Sequence, residues 1–325
     1  PVNGSVKINE GRYLTEDELN ALPFPAWDLL DHNLYTSMRS MPGVGCRPYM
    51  SMVTSRGCPF KCIYCHQTMG KTFRRRSAQS VLAEMEELRF KYGFKEFEIA
   101  DDCFNLDRER MYNILTGIPN RIGHVKIHFP NGLRSDRLEP EDMTLFKEAG
   151  TVSACFAIET ASPRLQKVIN KNLNIEKATR VIDASVRAGI YSTGYFMIGF
   201  PTETYQEASA TIEYASRSAL HCATFMFVTP LQGSELAGMV FDIIKKREEA
   251  AESRTITYFN NTTNLFAMSD SELQKIFRRA YRRFYFSPKR ILRLAVYHPK
   301  RFSLPFYAFL FLMKIIPGKL RTAEL

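Results

Sequence analysis

Cys58, Cys62 and Cys65 stand within eight residues, in the run Cys-Pro-Phe-Lys-Cys-Ile-Tyr-Cys. Three thiolates on one short loop can each take one corner of an iron–sulfur cube, because soft sulfur ligands suit such clusters. A 4Fe–4S cube held this way keeps one iron without a cysteine, open to a small molecule. The competing chemistry is a structural zinc site with Cys46 or His66 as fourth ligand. Zinc ribbons, however, show paired Cys-x2-Cys knuckles well separated in sequence, whereas this chain has one uneven trio and no second pair. A 4Fe–4S cluster on Cys58, Cys62 and Cys65 is the expected metal group. The other cysteines, Cys46, Cys103, Cys155 and Cys222, are expected to be buried as small apolar residues.

Such a loop needs a frame, and the surrounding sequence describes one. Strand-like segments at Tyr49–Ser55, Glu96–Ala100, Val125–Phe129, Ser153–Ile158, Tyr191–Ile198 and Cys222–Val228 alternate with helical ones. The helices open at Ser77, Asp107, Glu139-Pro140, Asn174 and Glu203, and Gly93, Gly150 and Gly189 act as stops. Strands alternating with helices at about 30 residues per unit argue for a parallel sheet with right-handed crossovers. A closed eight-unit barrel needs about 250 residues. Six units therefore fit either an open partial (β/α)6 TIM-like barrel or a doubly wound sheet. In both α/β architectures, chemistry belongs at the C-terminal ends of the strands. The motifs fall there: Cys58 after strand one, Asp101-Asp102 after strand two, Asn131 to Arg134 after strand three, Glu159-Thr160 after strand four and Gly199-Phe200-Pro201 after strand five. The expected organisation is a linker over 1–48, the (β/α)6 core over 49–232 and a helical basic extension over 233–325.

With the trio at the end of its first strand, the chain from Tyr49 to about Pro230 resembles the radical SAM enzymes. That resemblance implies a 4Fe–4S cluster whose open iron chelates the amino and carboxylate groups of S-adenosylmethionine (SAM). It implies one-electron cleavage of the sulfonium to a 5′-deoxyadenosyl radical, which takes hydrogen from a substrate inside the barrel. A one-electron donor such as flavodoxin or ferredoxin is implied too. Tyr64 matches the aromatic that packs on adenine, with a core tyrosine as the alternative. Asp101-Asp102 occupies the position that binds the SAM amino group, although the usual Gly-Gly-Glu is not present. Asp102 is the expected ligand, since Asp101 can equally cap a turn. Glu159, in Ala-Ile-Glu-Thr-Ala-Ser-Pro, matches a carboxylate that accepts both ribose hydroxyls. Arg134 matches a partner for the SAM carboxylate, or forms a surface salt bridge. Met197, Ile198 and Gly199 belong to a Gly-x-Ile-x-Gly-x-x-Glu-like region in which Glu203 is displaced by one. The two apolar residues would flank adenine or simply fill the strand core.

Three further stretches resemble the cobalamin-dependent subgroup: Gly70-Lys-Thr-Phe-Arg74, Pro23-Phe-Pro-Ala-Trp-Asp28 and Tyr281-Arg-Arg-Phe-Tyr-Phe-Ser-Pro-Lys-Arg290. The subgroup's Asp-x-His-x-x-Gly ligand motif is not present; Asp31-His32 lacks that spacing. The expectation is that cobalamin is bound by a domain upstream of this chain. In that subgroup methylcobalamin delivers a methyl group to a carbon radical, so methylation of an unactivated carbon is the implied reaction. Oxidative ring formation, as in anaerobic magnesium-protoporphyrin ester cyclases, is the second reading. RNA methylthiolation is the third, and it would require a β-rich RNA-binding module at the C-terminus.

The net charge of +10 is concentrated. No Asp or Glu occurs between Leu273 and Ala323, and ten cations lie between Lys275 and Arg301. The body before them is nearly neutral. Nucleic acid is therefore not the expected partner, and no recognised RNA-binding fold accompanies the basic block. Lys275–Phe286 reads as an amphipathic helix with a cationic face, and Ser287-Pro288 starts another. Phe302–Ile316 is apolar but shorter than a membrane span. Segment 275–316 is expected either to lie on an anionic membrane surface or to pack on the barrel or an absent domain. A lipid or other small molecule is the expected substrate. With 45% hydrophobic residues and no secretory signal or disulfide pattern, the location expected is cytoplasmic, or peripheral on the inner membrane face.

Overall fold

The computed structural model describes residues 12–32, 34, 48–66, 68–248 and 268–303, with side chains described outside 242–248 and 303. Six strands form one sheet: β1 (Met50–Met52), β4 (Glu96–Ile99), β5 (Lys126–Leu133), β6 (Thr151–Glu159), β7 (Tyr191–Ile198) and β8 (Cys222–Phe227). Their spatial order follows the chain, and every pairing is parallel. A doubly wound sheet reverses its strand order at a switch point. This sheet never reverses, so right-handed crossovers stack the connecting helices on one face and curve the strands into an open, partial barrel. Two short strands, β2 (Ser55–Arg56) and β3 (Arg74–Arg75), pair antiparallel beside it.

The first predicted strand is interrupted rather than continuous. Asp101, buried at the end of β4, accepts from Thr54 N and Thr54 Oγ1 at 2.5 Å each and from Ser55 Oγ at 2.6 Å. These bonds take Thr54 out of the parallel ladder and turn the chain into the β2–β3 hairpin. Strand β5 runs further than expected, to Leu133, and its register slips between Phe129 and Leu133. Pro130 has no N–H to give the ladder, which is why a strand interior tolerates it only at such an irregularity.

Successive side chains point to opposite faces of the sheet, and both faces of its middle strands are largely buried. Ala154, Phe156, Ile158, Phe196 and Ile198 pack with Val181, Ile182, Ala208 and Ile212 of the helical layer. Those last four residues come from the helices Ile175–Arg187 (α6), capped by Asn174, and Tyr205–Arg217 (α7), opened by a Thr204–Glu207 capping box. Helix α7 was expected to open at Glu203; the cap moves that boundary and turns Glu203 back into the preceding loop.

The basic segment is helical, at Asp270–Tyr285 (α9) and Pro288–Tyr297 (α10), with Glu235–Glu248 (α8) before them. No strand among the described residues follows Phe227. The apolar face of α9 is spent on the barrel: Leu273, Ile276, Ala280 and Phe284 are buried, and Phe277 stacks on Phe227 at 4.1 Å. For 275–285 the expectation of a membrane-facing apolar side is therefore corrected. Residues 304–316 of the expected apolar stretch, and Cys46, lie outside the described residues.

Candidate active site

The three cysteines sit on the loop closed by the β2–β3 hairpin. Gly57 begins it at φ +81°, and a Cβ there would lie 2.3 Å from Thr72 O, so only glycine fits. Cys58 N donates to Gly70 O at 3.2 Å. Lys71 Nζ donates to Phe60 O at 3.1 Å, and Arg74 to the carbonyls of Thr72 and Met69. The far side of the loop is tied to the barrel: Ile63 N donates to Ile169 O at 3.2 Å, Asn170 Nδ2 to Lys61 O at 3.0 Å, and Leu236 N to Ile63 O at 2.8 Å.

All three thiols are free and half-buried. A hydrogen bond with the Cys103 thiol holds Cys58 down to about 6. Burial pushes Cys65 up to about 11 and Cys62 upward. Cys103 is buried as expected, but it touches the site. Among the described residues no group of three or more His, Cys, Asp and Glu is placed to hold a single ion. A cube spreads its thiolates over separate irons, whereas zinc gathers its ligands about one point. Three free thiols on one short loop, one for each of three irons, are the donor set a cube takes.

Asp101 and Asp102 have different roles. Asp101 is consumed by Thr54 and Ser55. Asp102 is half-buried and makes no hydrogen bond or ion pair among the described residues, while its charge raises the pKa of both Cys58 and Cys65. Of the two, it is the carboxylate left uncommitted near Cys58 and Cys65.

Glu159 ends β6 at φ +66°, left-handed backbone that non-glycine residues adopt rarely. Its Oε1 accepts from Lys171 Nζ at 2.9 Å and from the Tyr64 hydroxyl at 3.2 Å. Its Oε2 is buried with no hydrogen-bond partner, an acceptor that a bound hydroxyl would satisfy. Tyr64 also meets Phe200 edge-on at 5.6 Å, and burial raises its phenol well above the usual value.

Arg134 is held by Asp136 (Nε to Oδ1, 3.0 Å) and by Lys171 O (2.7 Å), and lies 3.6 Å over the Phe60 ring of the cysteine loop. Its salt bridge is therefore intramolecular, with Nη1 left without a protein partner among the described residues. Met197 and Ile198 point to opposite sides. Met197 packs with Ile63, Leu165, Ile169 and Phe200 beneath the cysteine loop, while Ile198 is fully buried in the main core. Ile198 is thus placed as strand core, and only Met197 lies toward the site. Gly199, at φ +96°, donates its N–H to Glu203 Oε2 at 2.5 Å.

Two contributors were not predicted. Lys171 bridges Glu159 and Tyr64 from a loop in which Asn170 and Asn172 both have φ 51°; the Asn-Lys-Asn run signals a left-handed turn but not where the lysine reaches. Glu203 stands in the sequence as a displaced motif residue without a role. It closes the Gly199–Phe200 turn through two N–H bonds.

Residues 52–215, half of the chain, match the profile of the radical SAM superfamily. An uncharacterized methyltransferase of Pyrococcus horikoshii is 30% identical over 293 residues, 90% of this chain and 61% of its own length. The cytidylyl-2-hydroxyethylphosphonate methyltransferase of Streptomyces wedmorensis is 32% identical over 231 residues, 67% of this chain and 43% of its own length. The solved structure of TsrM of Kitasatospora setae, a radical S-adenosylmethionine methyltransferase with cobalamin and a 4Fe–4S cluster bound, superposes with a TM-score of 0.54. It shares 19% identity over 61% of this chain and 37% of that one, a likeness of fold. The chain spans about half the length of the curated relatives it matches, 61% and 43%.

Proposed function

Because the chain belongs to the radical SAM superfamily, we propose that it forms the catalytic core of a cobalamin-dependent methyltransferase acting on an unactivated carbon of a small, lipid-like molecule. Cys58, Cys62 and Cys65 would hold the cluster. Asp102 and Glu159 would hold the SAM amino group and ribose, Nη1 of Arg134 would face its carboxylate, and Tyr64, Met197 and Gly199 would border its adenine. Bound there, cluster and SAM supply a carbon radical by one-electron cleavage of the sulfonium, with the electron coming from a flavodoxin or ferredoxin. The chain's own contribution is to tie the cysteine loop to the barrel rim and keep an unsatisfied acceptor on Glu159 beside it. That orphaned oxygen next to three free thiols is the observation that carries the reading.

Both curated relatives described above are methyltransferases, which favours methyl transfer over ring closure. The RNA methylthiolation reading lacks its β-rich module among the described residues. Cobalamin would be held by residues other than those described. Among the described residues no helix is long and apolar enough to cross a membrane. A cytoplasmic location with peripheral contact at the inner membrane face belongs to the same reading, supported by exposed apolar residues on α10.

The test is anaerobic turnover of the reconstituted full-length protein with methyl-labelled SAM and a cell extract. Label entering a lipid fraction, with 5′-deoxyadenosine released, is the expected result. Replacing Cys58, Cys62 and Cys65 together by Ala should end 5′-deoxyadenosine formation, and its persistence would overturn the assignment.

A further inference from the structure

Helix α10 packs the reverse of the usual way round. Arg290, only 5% exposed, donates from Nη2 to Ser216 O at 3.0 Å and Ser218 O at 3.1 Å, and Arg293 Nη1 donates to Ala219 O at 2.6 Å. Those carbonyls lie at and just beyond the C-terminal end of α7, where partial negative charge collects and cations are favoured. The Arg290 guanidinium also lies 4.1 Å over the Phe284 ring. The arginines are therefore the anchoring side of the helix.

Its outward side is apolar. Ile291, Leu292 and Val296 are 55%, 66% and 50% exposed, and Phe302, just past the helix, is 89% exposed. Pro288, Ile291/Leu292 and Ala295/Val296 recur at helical spacing, so they make one stripe and not scattered single residues. Beside its start runs a groove of about 1110 Å3 along the exposed face of α9, lined by Lys275, Arg278, Arg279, Arg282, Arg283 and Phe286, with Asp270 at the helix start as its single acid. Arg283 is paired with Glu213 and Arg279 bonds Tyr205. Lys275, Arg278 and Arg282 have no ion-pair partner among the described residues. The groove ends at Phe286–Pro288, where the stripe begins. The sequence then continues through 304–316 with a single cation, no acid and mostly Phe, Leu, Ile and Met.

We infer that this face docks on an anionic lipid surface, with the α10 stripe in the acyl boundary and the unpaired α9 cations against headgroup phosphates. Apolar side chains flanked by cations, with no acidic residue from Leu273 to Ala323, are what such a surface attracts. A protein partner would have to supply both an apolar groove and an acidic rim. The inference rests on the peripheral location proposed above but not on the methylation chemistry. Vesicle binding is read without turnover, so either can fail alone.

The experiment is co-sedimentation of the full-length protein with phosphatidylcholine vesicles, with and without phosphatidylglycerol, at low and high salt. Wild type should pellet with the anionic vesicles and be released by salt. The double variant Ile291→Glu/Leu292→Glu should lower the bound fraction more than about tenfold with an unchanged melting temperature, because both side chains are exposed. Arg278→Gln/Arg282→Gln should weaken binding to anionic vesicles and leave the protein folded. Absence of pelleting, or binding indifferent to Ile291→Glu/Leu292→Glu, would overturn the inference. So would a fall in melting temperature of that variant without vesicles, which would mean that another part of the chain covers the stripe. RNA retention in place of vesicle binding would overturn it as well.

Discussion

Lys171 holds its ammonium 2.9 Å from Glu159 Oε1, and the two side chains are only 7% and 8% exposed. Removing one partner of a buried pair leaves the other charge uncompensated, at a cost of roughly 3 kcal/mol or more. Lys171→Met should therefore lower unfolding free energy by about that amount, and Glu159→Gln added to it should recover a large part. Denaturant unfolding of the four proteins in a double-mutant cycle measures the coupling. Additive losses would mean that the pair does not act as a unit.

Glu203 carries a pH signature. Burial raises its carboxyl to about 7 despite the N–H groups of Gly199 and Phe200 on Oε2. A carboxyl raised on folding binds its proton more tightly in the native state. Its stabilising contribution is thus fully present below the unfolded value near 4.5 and is lost as pH rises through about 7. At about 1.4 kcal/mol per unit, this makes roughly 3 kcal/mol of stability disappear between acid and mildly alkaline solution. Glu203→Gln should flatten that slope in urea unfolding series across pH. A wild-type slope unchanged by the substitution would show that Glu203 does not titrate in this range.

The cysteine trio, the strand–helix alternation and the bounds of β7 at Tyr191–Ile198 were all legible in the sequence, because period, spacing and ligand chemistry are local properties. What was not legible depends on contacts between distant residues. The sequence favours Asp102 over Asp101 only through the turn-capping alternative, whereas what commits Asp101 is Thr54, forty-seven positions away. Met197 and Ile198 look alike until strand alternation assigns one to the site and the other to the core. The spacing of α10 shows that it is amphipathic, but only its bonds to Ser216, Ser218 and Ala219 reveal that the arginines face inward.

Gly57 and Gly93 separate conformational cost from steric cost. Both have positive φ, +81° and +79°, but a Cβ at Gly93 meets nothing within 4 Å, while one at Gly57 meets Thr72 O. Gly93→Ala should cost about 1 kcal/mol. Gly57→Ala should distort the hairpin that closes the cysteine loop. Iron bound after anaerobic reconstitution should then fall below half of the wild-type content of about four per chain, while Gly93→Ala keeps it. Full iron loading in Gly57→Ala would show that the loop tolerates a different closure.

An open barrel must protect its last strand, and β8 does so with two tyrosines of α9. The Tyr281 hydroxyl donates to Phe225 O at 2.9 Å and accepts from Phe225 N at 3.3 Å. The Tyr285 hydroxyl does the same for Ala223, at 2.8 and 3.1 Å, and lies 2.8 Å from Cys222 Sγ. Four residues apart on one helix face, the two hydroxyls reach alternate residues of the strand and act where a seventh strand would. An uncovered edge is a template for pairing with another chain, and each unsatisfied backbone group costs about 1–3 kcal/mol. Tyr281→Phe and Tyr285→Phe should each destabilise by roughly that amount. The double variant should also self-associate, read as a concentration-dependent shift in light scattering at temperatures below unfolding. A double variant that does not self-associate and loses less than about 1 kcal/mol would mean that water satisfies this edge as well as the phenols do.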